Sequence, residues 1–394
     1  MRIGIYTEIY KPVTNGVVVS VESFRKQLES LGHEVFVFTP AFQSYNDPHV
    51  LTFASLPLPT NSPYRLTTPF RNFDHLPRLD VVHAQSLFMT GWLALMHART
   101  KGLPLVFTYH TRLADYSHYV PVLPDPMAKK MLINSSRRYC NRADRVVVPS
   151  SPIRELLRSY GVKTPMDVVP TPAALPPPAP DARQQIRARY GIESDRITLL
   201  NVGRLAHEKS VDVLLDAFAR LPARRPHLLL VGDGPMREAL EAQANELGVR
   251  ADVSFVGMVE RREIAAYYAA SDLFVFTSST ETQGLVLDEA LQMSLPVVAI
   301  AAGGVIDALQ SKGTLAVRCG VQREAQVAAL TKVLKGLLTE PSRLAALREE
   351  VRNSGLHVPS GAELLVRVYE RAQAEFVPRL FSRRRPGVRP SSRV

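Results

Sequence analysis

The sequence predicts an α/β fold arranged as two doubly wound domains, and three observations carry that prediction. Short apolar runs of the kind buried inside parallel sheets alternate with amphipathic stretches along most of the chain. The 394 residues, 46% of them hydrophobic, are more than a single core usually serves. Two such alternating series are separated by Thr171-Pro172-Ala173-Ala174-Leu175-Pro176-Pro177-Pro178-Ala179-Pro180, too rich in proline for a helix or an inner strand and suited to a stiff extended connector.

The first series opens with a strand over 2–6, a loop through Asn15-Gly16, and a helix that puts Val17, Val21, Phe24, Leu28 and Leu31 on one face. Gly32-His33 stops the helix and the apolar run 34–39 returns as a buried strand, which completes a βαβ unit. Further strands are expected at 80–83, 104–108 and 145–148. The second series places strands at 197–202, 227–231, 253–256, 272–277 and 296–300. A closing helix over 361–376 carries Leu364, Leu365, Val368 and Tyr369 at helical spacing. The organisation expected is two Rossmann-like domains facing a cleft, over 1–171 and 172–358, then the closing helix over 359–377 and a tail over 378–394.

Bulk properties exclude several classes. No apolar run reaches 18 residues, and the start of the chain reads as a strand rather than a signal peptide, so a cytoplasmic protein is expected. Cys140 and Cys319 fall in different expected domains, which argues against a disulfide framework, and no Cys/His spacing suggests zinc. The formal charge of +11 favours anionic partners: nucleotide phosphates, acidic lipid or nucleic acid. The excess concentrates in Arg379, Arg383, Arg384, Arg385, Arg389 and Arg393 among three prolines, a tail expected to be disordered and drawn to an anionic surface.

Candidate chemistry begins at Thr280-Glu281-Thr282-Gln283-Gly284-Leu285-Val286-Leu287-Asp288-Glu289, after the apolar run 272–277. Gly284 would turn the chain into a helix whose first free N–H groups, on Gly284, Leu285 and Val286, suit a diphosphate. Glu281 and Glu289 should lie about 10 Å apart and so grip different parts of one ligand. Spacing alone equally allows an acidic helix start with no ligand. Arg204 and Lys209 follow another strand and could neutralise a leaving diphosphate, the arginine as a fork and the lysine as a point charge, or could be ordinary surface cations. Gly16, and Gly232-Asp233-Gly234-Pro235, sit in strand-to-helix loops where backbone can approach a phosphate. His110 ends an expected first-domain strand, where doubly wound sheets place ligands, and His83 ends another.

Glu281-x7-Glu289, followed by Ala290 and then Leu295-Pro296-Val297-Val298-Ala299, resembles the signature of retaining glycosyltransferase family 4, whose fold is GT-B. The resemblance covers nearly the whole chain. It implies that Arg204 and Lys209 bind the donor diphosphate, Glu281 the sugar hydroxyls and Glu289 the ribose. It implies too that His110 faces the donor sugar and that Gly16, Asp233, Gly234, Met258, Gln283, Gly284, Leu285 and Val286 border the donor. Asn15 departs from the family's usual pair of glycines, Gly16 matching the second. The closing helix is expected to cross back to the first domain. Residues 109–119 together with Glu281-Thr282-Gln283-Gly284 look most like bacterial diacylglycerol glycosyltransferases, with Gln283 in place of a more common aromatic.

The resemblance therefore implies hexose transfer from a nucleotide sugar, a UDP-hexose by expectation, to diacylglycerol, with retention and without a required metal or cofactor. The basic and apolar stretch Met127, Lys129, Lys130, Met131, Leu132, Ile133, Arg137, Arg138 and Tyr139 would then be an interfacial helix. The expected partners are the donor, a lipid acceptor and an anionic membrane at its inner face, with no nucleic acid. Two alternatives stand beside this: a soluble family member with a sugar, polyol or small-metabolite acceptor, and a non-catalytic binding protein. A retaining glycosidase is disfavoured, because its two carboxylates stand about 5 Å apart.

Overall fold

The computed structural model describes residues 1–13, 15–57, 65–68, 73–119, 123–172, 175–222, 225–278, 280–353 and 361–378. The arginine-rich tail from Arg379 onward lies outside them. The first series runs β1 (Arg2–Tyr6), α1 (Gly16–Ser30), β2 (Glu34–Pro40), β3 (Val50–Phe53), β4 (Ser55–Pro57), β5 (Arg65–Thr67), β6 (Val81–Ala84) and α2 (Met89–Lys101). It continues through β7 (Leu105–Thr108), α3 (Asp125–Cys140), β8 (Arg145–Val148), α4 (Ser151–Ser159) and β9 (Met166–Val168). The second runs α5 (Ala182–Arg189), β10 (Thr198–Val202), α6 (Val211–Ala219), β11 (His227–Val231), α7 (Arg237–Glu246), β12 (Val253–Gly257), α8 (Ile264–Ala270) and β13 (Leu273–Phe276). After it come α9 (Leu285–Gln292), β14 (Val297–Ile300), α10 (Val305–Ala308), β15 (Thr314–Val317), α11 (Arg323–Thr339), α12 (Pro341–Asn353) and α13 (Gly361–Ala374).

The first series forms a parallel sheet in the order β3-β2-β1-β6-β7-β8-β9 and the second a parallel sheet in the order β12-β11-β10-β13-β14-β15. The inner strands are buried on both faces, which is why they read as unbroken apolar runs. β3, β9 and β15 were not legible in the sequence: they are short, lie at sheet edges and are only partly buried, so selection for apolarity is relaxed there. Val18, Val21, Phe24 and Leu28 form the buried stripe of α1, while Leu31, expected on that stripe, caps the helix and is 44% exposed.

In each sheet the direction in which successive strands are added reverses once. The reversal falls between β1 and β6 in the first sheet and between β10 and β13 in the second. At such a point the following connections leave on opposite faces and open a crevice beyond the carboxyl ends of the strands. Thr7-Glu8 and Gln85-Ser86 flank the first crevice, and Gly203-Arg204 and Thr277-Ser278 the second.

α13 packs back on the first sheet beside α1, with Leu365, Val368 and Tyr369 buried against Ile3, Ile5 and Phe24. Tyr369 Oη is 2.7 Å from His83 Nδ1, whose other ring nitrogen lies 2.7 Å from Thr108 Oγ1. His83 was expected to line the cleft; it is 1% exposed and joins α13 to the sheet instead, since a strand end can be roofed by a returning helix that no local pattern reveals.

His97 and His227 share this buried state, and His110 is partly buried. Burial pushes His83 down to about 3, and His97, His110 and His227 each to about 4. Each folded value lies below the unfolded value of about 6.5, so the unfolded chain takes up the protons first. Their contribution to stability is complete above that value and is lost as pH falls toward 4, by up to about 1.4 kcal/mol per pH unit for each ring. The urea midpoint is therefore expected to fall steadily below pH 6.5; a midpoint constant from pH 7 to 5 would contradict the buried, neutral assignment.

Candidate active site

The second crevice gathers most of the sequence-predicted residues. β10 ends in Gly203-Arg204, and a short 3-10 turn brings up Lys209. From the end of β13 the Thr277 hydroxyl donates to the Lys209 carbonyl at 3.0 Å and the Ser278 hydroxyl to the Glu208 carbonyl at 3.1 Å, which ties the two loops together. The Lys209 ammonium consequently meets the Glu281 carboxylate in a partly buried ion pair. Arg204 is exposed and makes no ion pair among the described residues. Charge of both signs thus meets at one point, with an unengaged guanidinium on the same loop.

Gly284 takes φ +79° and opens α9, and a β-carbon there would stand 2.9 Å from Val305 Cγ1. Only glycine meets both demands, so the free N–H groups of Gly284, Leu285 and Val286 head this helix. Glu289, one turn on, is 1% exposed. Arg261 Nη1 pairs with it at 2.5 Å and the Tyr268 hydroxyl donates to it at 3.0 Å. Burial raises its pKa and Arg261 opposes the rise. Arg261 and Tyr268 were missed in the sequence, because a buried carboxylate's need for a cation does not reveal which arginine supplies it.

Several expected donor-side residues are engaged in building the crevice. Gln283 is 7% exposed and its amide is committed to the connector: Oε1 accepts from the Thr171 N–H at 2.8 Å, and Nε2 donates to the Thr171 carbonyl at 3.0 Å and to Asp288 at 2.8 Å. Its side chain thus joins the two halves rather than facing the crevice. Asp233 accepts the Gly234 N–H at 2.7 Å and pairs with Arg237 at 3.1 Å. A β-carbon at Gly234 would lie 2.3 Å from the Leu205 carbonyl oxygen, so this glycine lets the β11 and β10 loops touch. Met258 is 70% exposed just past β12. Gly16 begins α1, and a β-carbon there would meet nothing within 4 Å. Asn15 accounts for its own presence by capping α1, its Oδ1 accepting the Val18 N–H at 3.0 Å.

The same loop reaches the first crevice. The Thr282 hydroxyl donates to the His110 carbonyl at 2.9 Å, and the Ser150 hydroxyl donates to the Thr282 carbonyl at 2.6 Å. Ser151 N–H to Asp307 at 2.6 Å adds a bond between α4 and α10. His110 Nε2 stands 2.5 Å from Gln85 Oε1 and therefore carries the proton, leaving Nδ1 as an acceptor. Burial lowers its pKa to about 4, so the ring is neutral at pH 7. It can orient hydroxyl groups but does not supply a cation.

No helix among the described residues is long and apolar enough to cross a membrane. Phe88, Trp92 and Met96 form an exposed row on α2, at 49%, 43% and 36%, with Arg142 stacked over Trp92. On α3, Met127 and Met131 are exposed beside Lys129, Lys130, Arg137 and Arg138, whereas Leu132 and Tyr139, counted with them from the sequence, are core residues.

Comparison with known proteins matches residues 14–175 to the family described as Glycosyltransferase Family 4 and residues 182–353 to that described as Glycosyl transferases group 1. An alpha-monoglucosyldiacylglycerol synthase from Streptococcus pneumoniae is 35% identical over 76% of this chain and 71% of its own. Another from Acholeplasma laidlawii is 32% identical over 76% and 80%. Among solved structures, Anabaena HepE in complex with UDP and glucose superposes with a TM-score of 0.73 at 18% identity, over 95% of this chain and 100% of that one.

Proposed function

We propose, for a chain that belongs to glycosyltransferase family 4 and carries its GT-B fold, that it moves a hexose from a nucleotide sugar to a lipid alcohol with retention of configuration. Diacylglycerol is the acceptor that fits best, and an α-linked glycolipid the product. The observation that carries this reading is the Lys209 and Glu281 pair at the second crevice, hydrogen-bonded through the neighbouring Thr282 to His110 at the first. Residues 172–358 form the donor side and 1–171 the acceptor side.

In this reading Arg204, Lys209 and the head of α9 bind the diphosphate, Glu281 the sugar hydroxyls and Glu289 the ribose. Neutral His110 orients the sugar. As the anomeric C–O bond to phosphate breaks, the departing phosphate oxygen takes the acceptor's hydroxyl proton, and the acceptor oxygen bonds to the anomeric carbon on the same face. The protein contributes position and stabilisation of charge on the leaving group. HepE's complex with UDP supports a UDP-hexose, and the diacylglycerol relatives support a lipid acceptor. The exposed apolar side chains of α2 and α3, with their cations and the arginine-rich tail, suit peripheral attachment to an anionic membrane from the cytoplasmic side.

Labelled UDP-hexoses offered with diacylglycerol in vesicles test this. Transfer is expected in vesicles containing anionic lipid and is expected to fall with added salt, in neutral vesicles, or after deletion of 379–394, while detergent-solubilised acceptor remains a substrate. Efficient transfer to a soluble sugar or polyol, with no flotation on anionic vesicles, would favour the soluble alternative.

A further inference from the structure

The first crevice holds a buried carboxylate that the scheme above leaves unused. Glu8 follows β1 and is 8% exposed. All three of its donors reach the same oxygen: Oε2 accepts from the Thr90 hydroxyl at 2.7 Å, the Thr90 N–H at 3.0 Å and the Ser86 hydroxyl at 3.3 Å. Oε1 has no partner among the described residues, and Glu8 lines a small open cleft of about 70 Å³ that also includes His110 and Gln85. The remaining wall is largely apolar, with Ile9, Val17, Leu87, Phe88 and Phe107.

Capping explains half of this arrangement. The N-cap position of α2 is Phe88, which offers no side-chain acceptor, so Glu8 Oε2 satisfies the Thr90 N–H from a neighbouring loop. One oxygen suffices for that. The second is left without a protein donor among the described residues and faces the open cleft, where water or a ligand's hydroxyl can reach it. Among the described residues that line the cleft Glu8 is the one acidic side chain, burial raising its pKa and the Thr90 and Ser86 hydrogen bonds opposing the rise, and neither Lys nor Arg is among them. A ligand there must donate a hydrogen bond to a carboxylate without bringing negative charge of its own.

We propose that Glu8 is an acceptor-binding residue whose Oε1 receives the hydrogen bond of an uncharged alcohol, and that it excludes acceptors carrying phosphate near the reacting hydroxyl. The apolar wall accommodates the carbon skeleton next to that hydroxyl. This rests on the glycosyl-transfer reading but holds for a lipid or a soluble alcohol alike. Before transfer the acceptor O–H points at Glu8, which aligns the oxygen; the proton still leaves to the departing phosphate.

The test is Glu8→Gln, whose amide oxygen can keep the Thr90 and Ser86 bonds while its –NH₂ replaces the free acceptor. The expected result is a rise of about 30-fold or more in KM for the neutral alcohol, the scale of one lost charge-assisted hydrogen bond, with UDP affinity by calorimetry and the thermal midpoint unchanged. The wild type is expected to prefer diacylglycerol, or whichever neutral alcohol it uses, over a phosphorylated polyol. Glu8→Gln with an acceptor KM within threefold of wild type reduces Glu8 to a helix cap and overturns the proposal, as does a wild type that uses phosphorylated acceptors equally well. If the wild type glycosylates only soluble neutral alcohols, the lipid reading fails while the KM shift for those alcohols still decides the role of Glu8.

Discussion

Lys209→Ala or Arg204→Ala is expected to lower turnover by about two to four orders of magnitude, the range for removing preorganised charge stabilisation at a leaving group. The two should differ in what else they disturb. Arg204 is exposed and free of ion pairs among the described residues, so its loss should leave folding and the second crevice intact. Lys209 pairs with Glu281 at a site where both are mostly buried, and its removal leaves that carboxylate without its cation. Lys209→Ala should therefore weaken the orientation of the sugar as well as binding of the diphosphate. Turnover at saturating donor, compared with nucleoside diphosphate affinity by calorimetry, separates the effects. Near wild-type turnover in either variant would remove that residue from the leaving-group site.

Asp272→Ala should produce the largest loss of stability, about 3–5 kcal/mol, the scale for breaking a buried charge cluster by removing one side. Asp272, just before β13, is 5% exposed. It accepts the Thr198 N–H at 2.7 Å and Arg183 Nη2 at 2.9 Å, pairs with Arg348, and stands 3.6 Å from Arg187. The residue thereby joins α5, β10, β13 and α12, and deleting it would leave three guanidinium groups together without an anion. Burial alone would raise its pKa, but Arg348 and Arg183 outweigh that and hold it below the usual carboxylate range. Its contribution is present above the unfolded value of about 3.9 and is lost as pH falls through the lower folded value. An unfolding free energy from urea denaturation within about 1 kcal/mol of wild type at pH 7 would mean that the arginines find other partners or water.

Much of the framework was legible because it is written in short-range pattern. Apolar runs of four to seven residues marked the inner strands of both sheets, since a strand covered on two faces must be apolar throughout. Helical spacing marked α1 and α13. Positive φ at Gly284 was foreseeable from a glycine standing between a strand and an amphipathic run. The family words around Glu281 and Glu289 named the reaction class, and the matches over both halves of the chain agree with them.

By itself, then, the sequence determined the two alternating α/β series, their separation by proline and the short motifs of family 4, because each depends on residues within a few positions of one another. The tertiary structure alone decided which of the marked residues face a crevice. His83 and His110 both end first-sheet strands, yet α13, arriving nearly 290 positions later by way of Tyr369, roofs one and leaves the other beside Gln85. Gln283 lies within the most informative motif, yet its amide is satisfied by Thr171, 112 positions away. Glu8 carries no motif at all and becomes conspicuous only when Thr90 and Ser86 occupy one of its oxygens and the cleft receives the other. Such assignments depend on how buried polar groups find partners across long stretches of chain, and local periodicity holds no record of that pairing.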